Sequence, residues 1–135
     1  MAKSPERDYS HRSLFEKLGV KAQARAALVG RHDEAFVAGL DAVLETPASP
    51  SMRARYDMIF LRVDGPRDLA RIAGAARRLQ PAGALWVFHP KGRGANPGDA
   101  AVRAAGLAAG LVDNKICAYT GSHTATRFVI PLARR

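Results

Sequence analysis

The sequence predicts a single α/β domain. It should hold a small open sheet of three parallel strands, extended by a C-terminal antiparallel pair, with helices on both faces. Three observations lead there. Strand-like apolar runs at Arg25–Val29, Tyr56–Val63 and from Gly83 onward are separated by segments with helical apolar spacing, the alternation that builds parallel βαβ units. The third run, Gly83-Ala84-Leu85-Trp86-Val87-Phe88, is apolar without interruption, the mark of a strand covered on both faces. The last two strand-like segments, Lys115–Tyr119 and Thr126–Leu132, are joined only by Thr120–Ala125. That link is too short for a parallel crossover, so the two pair antiparallel.

Bulk properties bound the rest. A chain of 135 residues makes one domain and buries roughly two thirds of its unfolded surface. No apolar run approaches the roughly 18 residues of a membrane span, so no membrane partner is expected. No apolar stretch follows the polar start Met1–Asp8, so a secretory leader is not expected and the cytoplasm is the expected location. The single cysteine, Cys117, excludes an internal disulfide framework and a multi-cysteine metal site. The net charge of +9 has two readings. It is the electrostatic footprint of a nucleic-acid binder, or the by-product of a composition with 16 arginines and 26 alanines.

Residues 1–12 are polar and aperiodic and should form a flexible N-terminal segment ahead of one domain over residues 13–135. Ser13 followed by Glu16 reads as a capping box for a short helix ending at Gly19. After the first strand, Asp33 can cap a helix carrying Phe36, Val37, Leu40 and Val43 on one face. Thr46–Arg55 is turn-rich and reads as a loop. Pro66 suits a helix start, and Leu69, Ile72, Ala73, Ala76 and Leu79 make one apolar stripe opposite Arg67, Arg71 and Arg78. Pro81 and Gly83 should end that helix and begin the central strand. Asn96–Asp99 opens a last helix with a small-residue face, Val102, Ala105 and Ala109, stopped by Gly110.

Ligands of open α/β sheets bind beyond the carboxyl ends of the strands. The three parallel strands deliver three loops to that rim. The first brings Gly30, Arg31, His32 and Asp33, the second Arg62 and Asp64, and the third His89, Lys91 and Arg93 with Gly92 and Gly94 between them. Arginine offers a planar fork to phosphate or carboxylate, so the rim predicts an anionic ligand. His32 and His89 lack a metal-ligand spacing, and neither a metal site nor a catalytic set is expected. His11 and His123 are expected in solvent, in the tail and a hairpin turn. Cys117 is expected as a buried inert thiol, and Trp86 as core. The first strand would be a bare edge, which predicts cover from the N-terminal segment, from the loop Thr46–Arg55, or from a second copy in a homodimer.

The strand Ala82–Val87, followed by a helix and an antiparallel pair, resembles the C-terminal half of a class I methyltransferase, a Rossmann-like fold in which the last strand inserts antiparallel beside the strand that follows the Pro-x-Gly-like turn. More closely, the chain resembles the bacterial domain-of-unknown-function family three thousand and fifty-two. The residues that carry this are Lys17-Leu18-Gly19-Val20, Leu28-Val29-Gly30, Ala82–Val87 with Pro90-Lys91, Ala108–Lys115, and Arg127-Phe128-Val129. The resemblance implies a reduced methyltransferase-like sheet and assigns no activity. S-adenosylmethionine is the cofactor of the wider fold, but it is not favoured here. The loop after the first strand has one glycine where that fold has a glycine-rich turn. No acid stands at the expected ribose position, no Asn/Asp-Pro-Pro-Tyr-type loop follows Leu61, and two strands are missing. Asp113, Asn114 and Lys115, the most distinctive block, read as turn chemistry or as a partner-binding surface. The function expected is a non-catalytic binding module for an anionic small molecule or a protein partner. The alternatives are a small S-adenosylmethionine- or nucleotide-dependent transferase, and a nucleic-acid binder using Arg67, Arg71, Arg77, Arg78, Arg93, Arg134 and Arg135.

Overall fold

Residues 14–135 are described in a computed structural model of the chain; the tail over residues 1–12 with His11, and the Ser13 cap, lie outside them. A helical turn over residues 14–17, α1, leads into β1 (Ala26–Val29), α2 (Glu34–Val43) and β2 (Tyr56–Arg62). A 3-10 turn at Pro66–Ala70 runs into α3 (Arg71–Ala76), then β3 (Leu79–Pro90), α4 (Asp99–Ala108), β4 (Val112–Ala118) and β5 (His123–Val129).

The five strands lie in the order β1-β2-β3-β5-β4. β1, β2 and β3 are parallel, and β5 is antiparallel to β3. The terminal pair is antiparallel as predicted, and its last strand inserts beside β3, as the methyltransferase resemblance implies. β5 slots between β3 and β4, so β4 runs in the direction of β1–β3 as a fourth parallel strand reached through α4. The pair also begins earlier than predicted, at Val112 and His123. Its edge strand is short of apolar residues, and polar Asp113–Lys115 hides the strand period there.

β3 is buried on both sides, and its alternation sorts the core into two layers. Leu85 and Val87 join Ile59, Leu61 and Phe128 beneath α3 and α4, which contribute Ile72, Ala75 and Val102. Trp86 and Phe88 join Met58 and Phe60 beneath α1 and α2, which contribute Phe15, Leu18, Phe36 and Leu40. The Trp86 indole N–H donates to the Leu18 carbonyl at 2.9 Å, satisfying the one polar atom that core placement would otherwise strand. Cys117 is buried in the same layer. Among the described residues no helix is long and apolar enough to cross a membrane.

One departure from the predicted elements has a clear physical cause. β3 starts at Leu79, not Gly83: α3 stops at Ala76, and Leu79 already pairs with Tyr56. The next pair is Met58 with Ala84, so β3 carries five steps where β2 carries two, a bulge of three residues. Gly83 sits in it because a Cβ there would stand 2.9 Å from the Asp57 carbonyl and 3.0 Å from that of Tyr56. The edge of β1, in turn, is covered by the loop Thr46–Arg55. Ser49 donates its N–H to Ala26 and accepts from Leu28, both at 2.8 Å, a one-residue parallel bridge that blunts the exposed edge.

α4 presses closely on the sheet through Gly106, where a Cβ would collide with the Phe128 ring. Gly106→Ala should therefore lower the unfolding free energy by about 1–3 kcal/mol through overpacking, read as a lower urea midpoint with an unchanged m-value. An unshifted midpoint would mean that α4 moves off Phe128 at no cost.

Candidate functional site

The carboxyl ends of β1, β2, β3 and β4 open at one edge of the sheet, together with the start of β5. Leaving β1, Gly30 adopts φ +90°, a left-handed turn that favours glycine. Its backbone lies against Arg62, so that a Cβ would stand 3.0 Å from the Arg62 carbonyl and 3.1 Å from the Arg62 Cβ. This turn throws His32 inward. The ring lies 5.5 Å from that of Phe36 in a stacked arrangement and 5.4 Å from Phe88 edge-on. Its Nε2 is 2.8 Å from the Phe60 carbonyl. A carbonyl only accepts, so Nε2 carries the proton and Nδ1 is a lone pair, buried with no hydrogen-bond partner. Burial is the main force on this imidazole and holds its pKa below the ordinary value.

Arg62, the last residue of β2, is the hub of the rim. Its side chain is 13% exposed, and its Nε donates to Asp64 Oδ1 at 2.9 Å while Nη1 lies 3.5 Å from Asp33 Oδ2. Two carboxylates thus flank one largely buried guanidinium. Burial pulls the Arg62 pKa down, but the Asp64 and Asp33 charges more than offset it and the net shift is upward. Asp33 occupies the position before α2, yet makes no capping hydrogen bond. It accepts instead from the Tyr119 hydroxyl at 2.7 Å. That bond, with the Arg62 charge, holds the Asp33 carboxyl below its usual range. Burial and the Asp33 carboxylate both push the Tyr119 phenol well up. Burial raises the Asp64 pKa, but hydrogen bonds from Arg62 and His123 leave it lowered overall.

Two of these groups, Tyr119 and His123, were not selected from the sequence. His123 was expected in solvent. It is the half-buried first residue of β5, with Nε2 3.1 Å from Asp64 Oδ1 and 3.3 Å from Arg62 Nη2. A guanidinium only donates, so a neutral His123 ring satisfies one of those contacts at a time. Its Nδ1 lies 2.8 Å from the Ser122 hydroxyl. Tyr119 follows β4, and its ring centroid is 4.8 Å from that of Phe88 and 5.8 Å from Phe36. The signal for both was positional: the insertion of β5 carries the β4–β5 turn to the carboxyl ends of the parallel strands.

The other predicted site residues separate. His89 does not reach the rim. It points into the layer beneath α4, 1% exposed, with Nε2 2.8 Å from the Thr126 hydroxyl and Nδ1 3.8 Å from Asp99. Along β3 it shares the face of Leu85 and Val87, so strand alternation sends it inward. Burial lowers its pKa. Arg31, Lys91 and Arg93 are exposed on the loops and make no side-chain hydrogen bond or ion pair with a described residue. Asp113, Asn114 and Lys115 lie on edge strand β4, away from the rim. Asp113 pairs with Arg103 of α4 at 3.1 Å, Asn114 is the extra residue of a bulge, and the Lys115 ammonium donates to the Lys17 carbonyl at 2.9 Å. Among the described residues no three His, Cys, Asp or Glu side chains cluster as a metal ion would require.

No protein-family model matches the chain, and no curated protein matches it. The fold, by contrast, is that of the class I methyltransferases. Mitomycin 7-O-methyltransferase MmcR superposes with a TM-score of 0.63 at 9% identity, over 82% of this chain and 50% of that one. An O-methyltransferase family protein from Burkholderia thailandensis gives 0.61 at 13% identity, over 87% and 54%. The CcbJ methyltransferase from Streptomyces caelestis gives 0.59 at 10% identity, over 92% and 95%. The chain spans about half the length of the first two. Identities this low speak for the fold alone.

His32 and His89 set an acid limit on the domain. Each has a folded pKa below its unfolded value of about 6.5, so below that pH the unfolded chain binds protons that the folded one does not. Stability should fall as pH drops below about 6.5, by up to about 1.4 kcal/mol per pH unit for each histidine, until the lowered folded values are passed. Urea titrations from pH 7.5 to 5 check this. His89→Gln should flatten the slope, and an unchanged slope would show that His89 is charged in the folded protein.

Proposed function

We propose that this methyltransferase-like domain does not transfer methyl groups, and that it works as a binding module whose basic rim meets an anionic ligand or an acidic surface of a partner protein. The observation that carries this is the Asp33–Arg62–Asp64 bridge, extended by Tyr119 and His123. In an open α/β sheet the ligand crevice lies outside the carboxyl ends of the strands. Here the chain's own side chains tie the end of β1 to β2, and reach from there to the β4–β5 turn.

S-adenosylmethionine fits these residues poorly. The single glycine of the first loop is pressed on Arg62 and leaves no backbone free to approach an amino-acid moiety. The His32 ring fills the floor between Phe36 and Phe88. Arg62, placed to hold a carboxylate there, is already engaged by two internal ones. The cations left over are Arg31, Lys91 and Arg93. They stand on loops at the same edge, exposed and unpaired, where their summed field draws anions and raises association rates. Arg67, Arg71, Arg77 and Arg78 are exposed at and around α3, apart from the rim bridge.

Differential scanning fluorimetry tests both halves of the proposal. Millimolar S-adenosylmethionine and its demethylated product should leave the melting temperature unchanged, whereas polyglutamate should raise it in a salt-dependent way. The triple variant Arg31→Glu, Lys91→Glu, Arg93→Glu should lose the polyglutamate effect. Saturable stabilisation by S-adenosylmethionine, which at 100 times its Kd amounts to about 2.7 kcal/mol, would restore the transferase reading. Sequence-selective oligonucleotide binding that survives physiological salt would move the function to nucleic acid.

A further inference from the structure

The opposite end of the sheet holds a cleft of about 420 Å³, lined by the segment leading into β1, the amino end of β2, the β3 bulge, Arg127 of β5 and the residues following α1. Its size lies within the range of small-molecule sites. The bulge makes the room. Three extra residues of β3 carry Ala82 out of the pairing with β2 before it resumes at Ala84 opposite Met58, and Gly83 permits it by approaching the Tyr56 and Asp57 carbonyls more closely than any side chain would allow. A glycine-supported bulge is a recurrent way to shape a ligand site beside a regular sheet. Leu18, Ala24, Met58 and Ala84 give the cleft an apolar floor.

Two cations line this floor, Lys21 and Arg127. Arg127 lies opposite Trp86 in the β3–β5 ladder, so it projects on the Trp86 face. It is half-buried, and its guanidinium makes no side-chain hydrogen bond or ion pair with a described residue. The contrast with Arg62 is direct, since the latter is flanked by two carboxylates. Lys115, beside Arg127 on the neighbouring strand, adds a further positive charge. Asp57 is the one acid in the lining, and its Oδ2 is already engaged by the Arg25 N–H at 2.8 Å. A partly desolvated arginine without an acceptor is costly unless an anion joins it.

We propose that this cleft binds a small organic carboxylate with a short aliphatic body, its head group on the Arg127 fork and its chain on the Leu18–Met58–Ala84 floor. The planar guanidinium matches a carboxylate bidentately. Asp57 at the wall favours a monoanion over a phosphate dianion. The site is separate from the rim, so it stands or falls independently of the function proposed above.

Sodium hexanoate, titrated into the 15N-labelled full chain at constant ionic strength, is the test. Saturable amide shifts are expected at Gly19, Lys21, Ala82 and Ala84, with hexan-1-ol binding at least tenfold more weakly. Arg127→Gln should weaken hexanoate at least tenfold at an unchanged melting temperature, and Arg31→Gln should leave it alone. Ala82→Phe, which changes an exposed position at the mouth, should block the cleft without disturbing the core. No saturable shift, equal binding of hexanol and hexanoate, equal binding by Arg127→Gln, or an equal loss in Arg31→Gln would each overturn the assignment.

Discussion

Burial of β3 on both faces is the constraint on which the rest of the structure depends. With Trp86 and Phe88 facing α1 and α2, and Leu85 and Val87 facing α3 and α4, neither face of the sheet can be left to solvent. Every helix is placed by one of those two layers. β5 completes the enclosure by pairing along β3 from Ala84 to Pro90, so the backbone groups of the central strand are satisfied on both sides. A parallel sheet tolerates no less, because its apolar runs carry no polar face.

The same topology decides what the rim contains. Inserting β5 between β3 and β4 brings the β4–β5 turn to the edge where β1 and β2 end. Tyr119 and His123 thereby join Asp33, Arg62 and Asp64, residues far from them in the chain. One guanidinium serving two carboxylates leaves this trio with one negative charge in excess, while the exposed loop cations around it keep the edge basic. The fold is shared with methyltransferases, yet function resides in the site a fold carries rather than in the fold. Here the crevice residues hold one another.

The amino end of the sheet shows the reverse arrangement. There a bulge opens space instead of side chains closing it, and a half-buried arginine is left without an internal counter-ion. The two ends of one small sheet thus dispose of their arginines in opposite ways. Arg62 is compensated within the chain, and Arg127 is not.

Apolar period and link length are local properties, and they were enough to predict the α/β class, the three parallel strands and the antiparallel closing pair. The sequence also placed Trp86 and Cys117 in the core and offered Thr46–Arg55, beside the N-terminal segment and a second copy of the chain, as cover for β1. It marked Arg62, Asp33 and Asp64 as rim residues, since each ends a strand or lies in the short loop after one. The methyltransferase resemblance implied that the last strand stands beside the central one, but the side-chain contacts that hang on the full strand order came only with the folded chain. Whether His89 faced the rim or the core depended on which face of β3 its position took. Whether His123 met solvent or Asp64 depended on where β5 inserted. The three-residue bulge at Gly83 was invisible because it is defined by pairing between strands, and pairing is a long-range property that no window of sequence contains.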